Sequence, residues 1–224
     1  MKKIILFAFF FAFAVSASAQ NYTNKQMALI DYDLKVSKEF REDIQSLQNH
    51  IGSAEVHNKD ADDRLKALLI HHLYYNMAPR LERELDMSIL PINSFMQEVK
   101  YDEFGYPRAS INRALRKGDS PFYFKLEIAL DSKTEEKREE KPELPDNITF
   151  PRFTIDVIIY NDEGMLPVDK WHGEAEPEEG MVVEKAMLGE FIDQPASTSG
   201  QPKQTLSTLF EEALDKLINT HLND

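Results

Sequence analysis

The chain has 224 residues and no cysteine, and its 39 acidic side chains outnumber 26 basic ones for a formal charge of −13. The absence of Cys excludes disulfide staples, thiol catalysis and thiolate metal sites, so an ordinary apolar core must hold the fold. The acidic balance repels phosphate backbones and anionic lipid, which argues against a nucleic-acid partner.

The first nineteen positions carry the clearest pattern. Met1-Lys2-Lys3 is a basic start, Ile4 to Val15 an unbroken apolar run, and Ala17-Ser18-Ala19 an A-x-A site followed by Gln20. These three parts predict a cleavable secretory signal peptide over 1–19, cut between Ala19 and Gln20. The apolar run falls short of the roughly 20 residues a spanning helix needs, so no permanent membrane anchor is expected. Gln20 stands where lipid attachment would need Cys. The predicted product is therefore unlipidated and periplasmic or secreted, and the leader looks bacterial.

Residues 20–224 read as a single α+β domain. Ile30, Tyr32, Leu34 and Val36 alternate with Asp31, Asp33 and Lys35. That alternation favours a strand over about 27–35, although Met27, Ile30 and Leu34 also fit a helix. Ser37 suits an N-cap for a helix whose face carries Phe40, Ile44, Leu47 and Ile51, with Gly52 as its C′ residue. Asp60, Asp62 and Asp63 precede a second helix and read as caps, because their spacing is not that of a calcium loop. Pro79 is expected to kink that helix or start a new turn. Pro91 demotes 88–95 to an edge strand or an extended segment. A short helix over 109–117 ends at Gly118.

The clearest strands are 122–131 and 152–160, each apolar on alternate residues. A third follows the Asn161-Asp162-Glu163-Gly164 turn, from Leu166 to about Glu174, so 122–175 reads as a three-strand meander in an antiparallel sheet. Ser132 to Asp146 is charged and almost free of apolar residues, and is expected to be a flexible loop. Residues 182–192 are apolar without a decisive period, and 193–205 read as a linker. From Leu206 the chain follows the i, i+3, i+4 rule of a closing amphipathic helix.

No glycine-rich phosphate loop, nucleophile elbow or H-E-x-x-H zinc motif occurs. No catalytic residue, metal ligand or cofactor is therefore assigned. His71 and His72 diverge by about 100° around a helix and cannot ligate one ion as an i, i+4 pair does. The most unusual string is Tyr101-Asp102-Glu103-Phe104-Gly105-Tyr106-Pro107-Arg108. Tyr101, Phe104, Tyr106 and Arg108 on a loop can form a recognition surface, or the rings can plug the loop onto the sheet. Trp171 and His172 on the third strand complete the binding candidates.

The string Phe153 to Gly164, leading to Val168 and Trp171, resembles a hairpin of periplasmic envelope proteins. These are the TolB amino-terminal domain and the curli-secretion and penicillin-binding-protein-activator lipoproteins. The leader and the Gln20 start also look like those of secreted Bacteroidetes proteins. The chain departs from the lipoproteins in lacking their cysteine and in carrying the charged insert at 132–146. The resemblance implies a non-catalytic adaptor of the cell envelope with a protein partner there, and leaves the oligomeric state open. Two other functions remain. One is a carboxylate hydrolase, which requires a cleft gathering at least two of Asp156, Asp162, Asp169, His172 and Glu174. The other is a structural or ligand-carrying domain enclosing an apolar cavity.

Overall fold

The computed structural model describes residues 22–192 and 204–223. The predicted signal peptide, its Ala19–Gln20 cleavage site and the greater part of the 193–205 linker lie outside the described residues. The chain begins with β1 (Gln26–Val36), α1 (Lys38–Asp43), a 3-10 turn (Gln45–Leu47), α2 (Gln48–Ser53) and α3 (Arg64–Leu85). Three two-residue strands follow, β2 (Ser88–Ile89), β3 (Lys100–Tyr101) and β4 (Pro107–Arg108), and then α4 (Ile111–Lys117). Next come β5 (Phe122–Ser132), α5 (Thr134–Glu140), β6 (Ile148–Thr149), β7 (Pro151–Asn161) and β8 (Asp169–Ala175). The end of the chain holds β9 (Met181–Val182), α6 (Lys185–Leu188), a second 3-10 turn (Gly189–Ile192) and α7 (Leu206–Asn223).

The main sheet runs β3-β4-β1-β5-β7-β8, with β2 paired to the start of β1. β5, β7 and β8 form the expected antiparallel meander. β1, however, runs parallel to β5, so the sheet is mixed rather than antiparallel. Parallel neighbours need a crossover, and α1 to α3 supply it. A bulge at Ile30 shifts the register between Leu29 and Asp31. After it Tyr32 and Leu34 face the core beside Leu126 and Ile128, while Asp31 and Asp33 face away.

One face of the sheet carries the main core. Phe124, Leu126, Ile128, Phe153, Ile155 and Val157 lie there against Leu69, Leu73 and Met77 of α3 and Leu209, Phe210 and Leu217 of α7. Each fully buried side chain of this size contributes about 1.5–3 kcal/mol against the entropy of ordering. The opposite face has a smaller cluster of Ala28, Ile30, Phe95, Ala114 and Tyr123 at one end. Elsewhere that face is charged, with Lys35–Glu127 at 2.6 Å and Arg152–Asp131 at 3.2 Å.

Several helix boundaries depart from the sequence reading. Ser37 caps α1 through Phe40 N at 3.1 Å, but the single helix expected through Ile51 is broken by the 3-10 turn, and Gly52 lies inside α2. The four apolar residues that suggested one helix are nonetheless all buried. Asp63 caps α3 through Lys66 N, and α3 continues past Pro79 to Leu85.

The charged segment 132–146 is corrected more fully, because α5 occupies its first half. Thr134 and Thr149, both buried, bracket the segment, and Asp43 at the end of α1 binds both hydroxyls at 2.6 Å. An anchored N-terminus lets the acidic first turn, Glu135 and Glu136, form helix without an apolar stripe.

Candidate functional site

A cleft opens along the solvent side of α3, where two cavities of about 570 and 560 Å³ meet. His57, His71 and Tyr75 line both. His71 and Tyr75 stand one helical turn apart on the same face of α3. His57 comes from the stretch after α2, which Asn58 ties to the aromatic loop by donating to Glu103 O at 2.8 Å. His50 and His72 line the first cavity with Phe191, while Phe104 and Tyr106 line the second with Ile92.

The aromatic loop owes its shape to Asp102 and Gly105. Asp102 Oδ1 accepts from Phe104 N and Tyr106 N, both at 2.9 Å, and Gly105 takes φ 86°, a left-handed conformation open to glycine. The turn drives Tyr106 inward. Its ring lies 4.6 Å from Tyr32 and 5.2 Å from Tyr74, and its hydroxyl sits 2.9 Å from His71 Nδ1. His71 in turn meets the edge of His57 at 4.5 Å between ring centroids. Its Nε2 is buried and makes no hydrogen bond among the described residues.

Electrostatics keep His71, Tyr106 and Tyr32 neutral. Burial, then the neighbouring His57, holds the His71 imidazole below its usual 6.5. Burial also pushes the Tyr106 and Tyr32 phenols far up, with nearby tyrosines and Asp102 adding to it. His71 and Tyr106 therefore offer the cleft neutral hydrogen-bonding rings at pH 7. Tyr106 is no source of a phenolate nucleophile.

The structure places the sequence-predicted residues in three separate settings. Phe104 and Tyr106 are buried, so of the two arrangements open to the loop these rings take the plugged one rather than the surface one. They plug the loop against α3 and the sheet. Tyr101 is half-buried beside the smaller core cluster. Arg108 binds Asp31 at 3.1 Å and Asp33 at 2.9 Å, so it closes a charge network over β1. Trp171 is buried, stacks near His221 at 4.5 Å and donates to Asp169 at 3.0 Å. His172, next in sequence, points to the other face and meets Asp156 at 2.8 Å.

Of the residues a hydrolase would use, Asp156 and His172 meet, but on the open charged face, and none of the five lines either α3 cavity. Asp156 and Glu174 lie on the open charged face, Asp169 on the core side beside Tyr22, and Asp162 in the exposed turn after β7. Among the described residues no group of three or more His, Asp or Glu is arranged to hold a metal ion. Among them, too, no helix is long and apolar enough to cross a membrane. His57, Tyr74 and Tyr75 entered the cleft without having been singled out. The i, i+4 relation of His71 and Tyr75 was the one readable signal, since the contribution of His57 depends on how the chain returns to α3.

No family model matches the chain, and no curated protein matches it. Solved structures of similar course exist. The hypothetical protein CT253 from Chlamydia trachomatis aligns over 90% of this chain and 100% of its own, at 8% identity and a TM-score of 0.45. The lipoprotein GNA1162 from Neisseria meningitidis aligns over 89% and 99%, at 7% identity and a TM-score of 0.43.

Proposed function

We propose that this chain is an exported, non-catalytic binding or adaptor protein of the bacterial cell envelope, and that the α3 cleft is its contact surface. One observation carries the reading. Tyr75 is 60% exposed and lines both cavities, beside the His71 imidazole and the buried Tyr106. An exposed aromatic on a rigid, well-packed support is the usual anchor of a protein contact. The leader at 1–19 and the hairpin resemblance support the envelope as its setting. The hydrolase reading loses its footing because Asp156, His172 and Glu174 stand on solvent-facing strand positions and neither they nor Asp162 and Asp169 line the α3 cavities. The carrier reading needs an enclosed apolar cavity, whereas both α3 cavities open to solvent and carry polar groups.

Site-directed photo-crosslinking tests the proposal. A photoreactive phenylalanine is placed at Tyr75 or at Glu139, which is exposed on α5. In envelope extract a discrete adduct is expected from position 75 alone, and excess unlabelled protein should suppress it. Equal, unsuppressed labelling from both positions would remove the cleft as a contact surface. Recovery of the chain in the cytoplasm with residues 1–19 intact would remove the envelope setting.

A further inference from the structure

Among the described residues the outer edge of β8 pairs with no strand, and the hydrogen-bond phase of the sheet shows which of its backbone groups face outward. Asp162 N donates to Pro121 O at 3.1 Å, at the end of the β5–β7 register in which Phe122 faces Asn161. Pairs that exchange hydrogen bonds recur every second residue along an antiparallel ladder. Arg152, Thr154, Asp156 and Ile158 therefore bond to β5. Phe153, Ile155, Val157 and Ile159 turn their backbone groups toward β8, opposite Ala175, Gly173, Trp171 and Asp169. The remaining β8 residues, Lys170, His172 and Glu174, aim their N–H and C=O groups outward, with the Lys170 N–H held by Asp169 Oδ1 at 2.8 Å. β8 ends the sheet, and β7 is its one strand partner among the described residues.

The side chains of these three residues are exposed on the charged face. Lys170 makes no ion pair among the described residues, and Glu174 has Arg152 only at 4.0 Å. Charges on an edge strand commonly discourage pairing. Here their order matches them to themselves. We propose that β8 pairs antiparallel with β8 of a second copy of this chain, about a two-fold axis at His172. Lys170 then lies opposite Glu174 of the partner subunit, and the reciprocal pair repeats it. The outward groups of His172 and Glu174 and the Lys170 C=O find ladder partners, while the Lys170 N–H exchanges Asp169 Oδ1 for a ladder carbonyl. Centring the axis on Lys170 or on Glu174 would instead oppose like charges, which costs stability. Met165, Leu166 and Val168, all exposed, immediately precede this strand and gather apolar surface at the same edge.

Sedimentation velocity over a concentration series tests the pairing, with circular dichroism confirming that each variant is folded. The wild type should dimerise. Lys170→Glu opposes like charges twice and should raise the dissociation constant by roughly tenfold or more. The double swap Lys170→Glu/Glu174→Lys restores opposite charges and should recover the dimer. His172→Pro removes an outward donor at the axis while proline is tolerated on an edge strand, so it should give a folded monomer. A wild type that stays monomeric at all concentrations overturns the proposal. So does a dimer that ignores Lys170→Glu or His172→Pro, or a double swap that remains monomeric.

Discussion

Thr134 donates its hydroxyl to Asp43 Oδ2 at 2.6 Å, joining the start of α5 to the end of α1 across 91 residues of chain. Thr149 adds a second bond at 2.6 Å and Ser132 a third at 2.5 Å, so one carboxylate oxygen gathers both ends of the 132–149 segment. Thr134 also accepts from Phe150 N at 3.0 Å. Removing the acceptor leaves buried hydroxyls short of a partner, at about 1–3 kcal/mol. Asp43→Ala should therefore lower unfolding stability by about 2 kcal/mol. Trypsin should then cut at Lys137 or Arg138 before the rest of the chain opens. Equal cleavage rates in the variant and the wild type would show that the segment does not depend on Asp43.

Gly173 is where α7 lies closest to the sheet. A Cβ there would stand 2.1 Å from Ala213 O and 2.8 Å from Leu217 N, both backbone atoms that no rotamer change can move. Gly173→Ala should force α7 off β8 and cost about 3 kcal/mol. Gly164→Ala, where a Cβ meets nothing within 4 Å, serves as the control and should be near neutral. Denaturant melts of the two variants measure the difference.

Period and capping made much of this fold legible. The alternation of β5 and β7 marked both strands almost to the residue, and Ser37, Asp63 and Ser110 cap helices as short polar residues do. Distant partners escaped the sequence. Nothing local shows that Asp43 will anchor Thr134, so 132–146 reads as loop. Nothing in β1 shows whether β5 will run parallel or antiparallel to it. At the cleft, the aromatic loop stood out as unusual, but its rings face inward because Asp102 and Gly105 fold it back. His57 joins the site through tertiary packing alone.

Arg108 and Lys66 set the acid limb of the stability profile. Burial alone would raise the Asp33 carboxyl, but hydrogen bonds from Arg108 and Lys66 outweigh it and hold Asp33 below 3.8. Asp63 is lowered against burial by Arg41, and Asp131 by Ser132 N, Ser37 and Arg152. A carboxyl with a depressed folded-state pKa contributes stability above its unfolded value and loses it as pH falls through the folded one. Stability should therefore decline below about pH 4. Arg108→Ala should lower stability at neutral pH and shrink that acid decline, as read from urea midpoints at pH 7, 4 and 3. A decline of unchanged size would detach Arg108 from Asp33.

His71 should add an earlier step. Its imidazole is depressed from 6.5 by burial first and then by His57, while Asp102 pulls the other way. Protons bind the unfolded chain more readily than the folded one in this range. Stability is then fully present above 6.5 and falls as pH drops through the lower folded value. The groups facing His71 explain why the folded state resists the proton. Tyr106 offers a hydroxyl at Nδ1, His57 approaches edge-on, and Nε2 has no acceptor among the described residues. In urea melts between pH 7.5 and 5 the wild type should lose stability, and His71→Gln, which cannot titrate, should lose less. Tyr106→Phe removes the hydroxyl at Nδ1 and should cost about 1 kcal/mol at pH 7.5 while the loss of stability below the usual imidazole range persists. A wild-type profile flat from 7.5 to 5 would mean that His71 takes up its proton in the folded cleft without penalty, and the neutral character assigned to the site would fall with it.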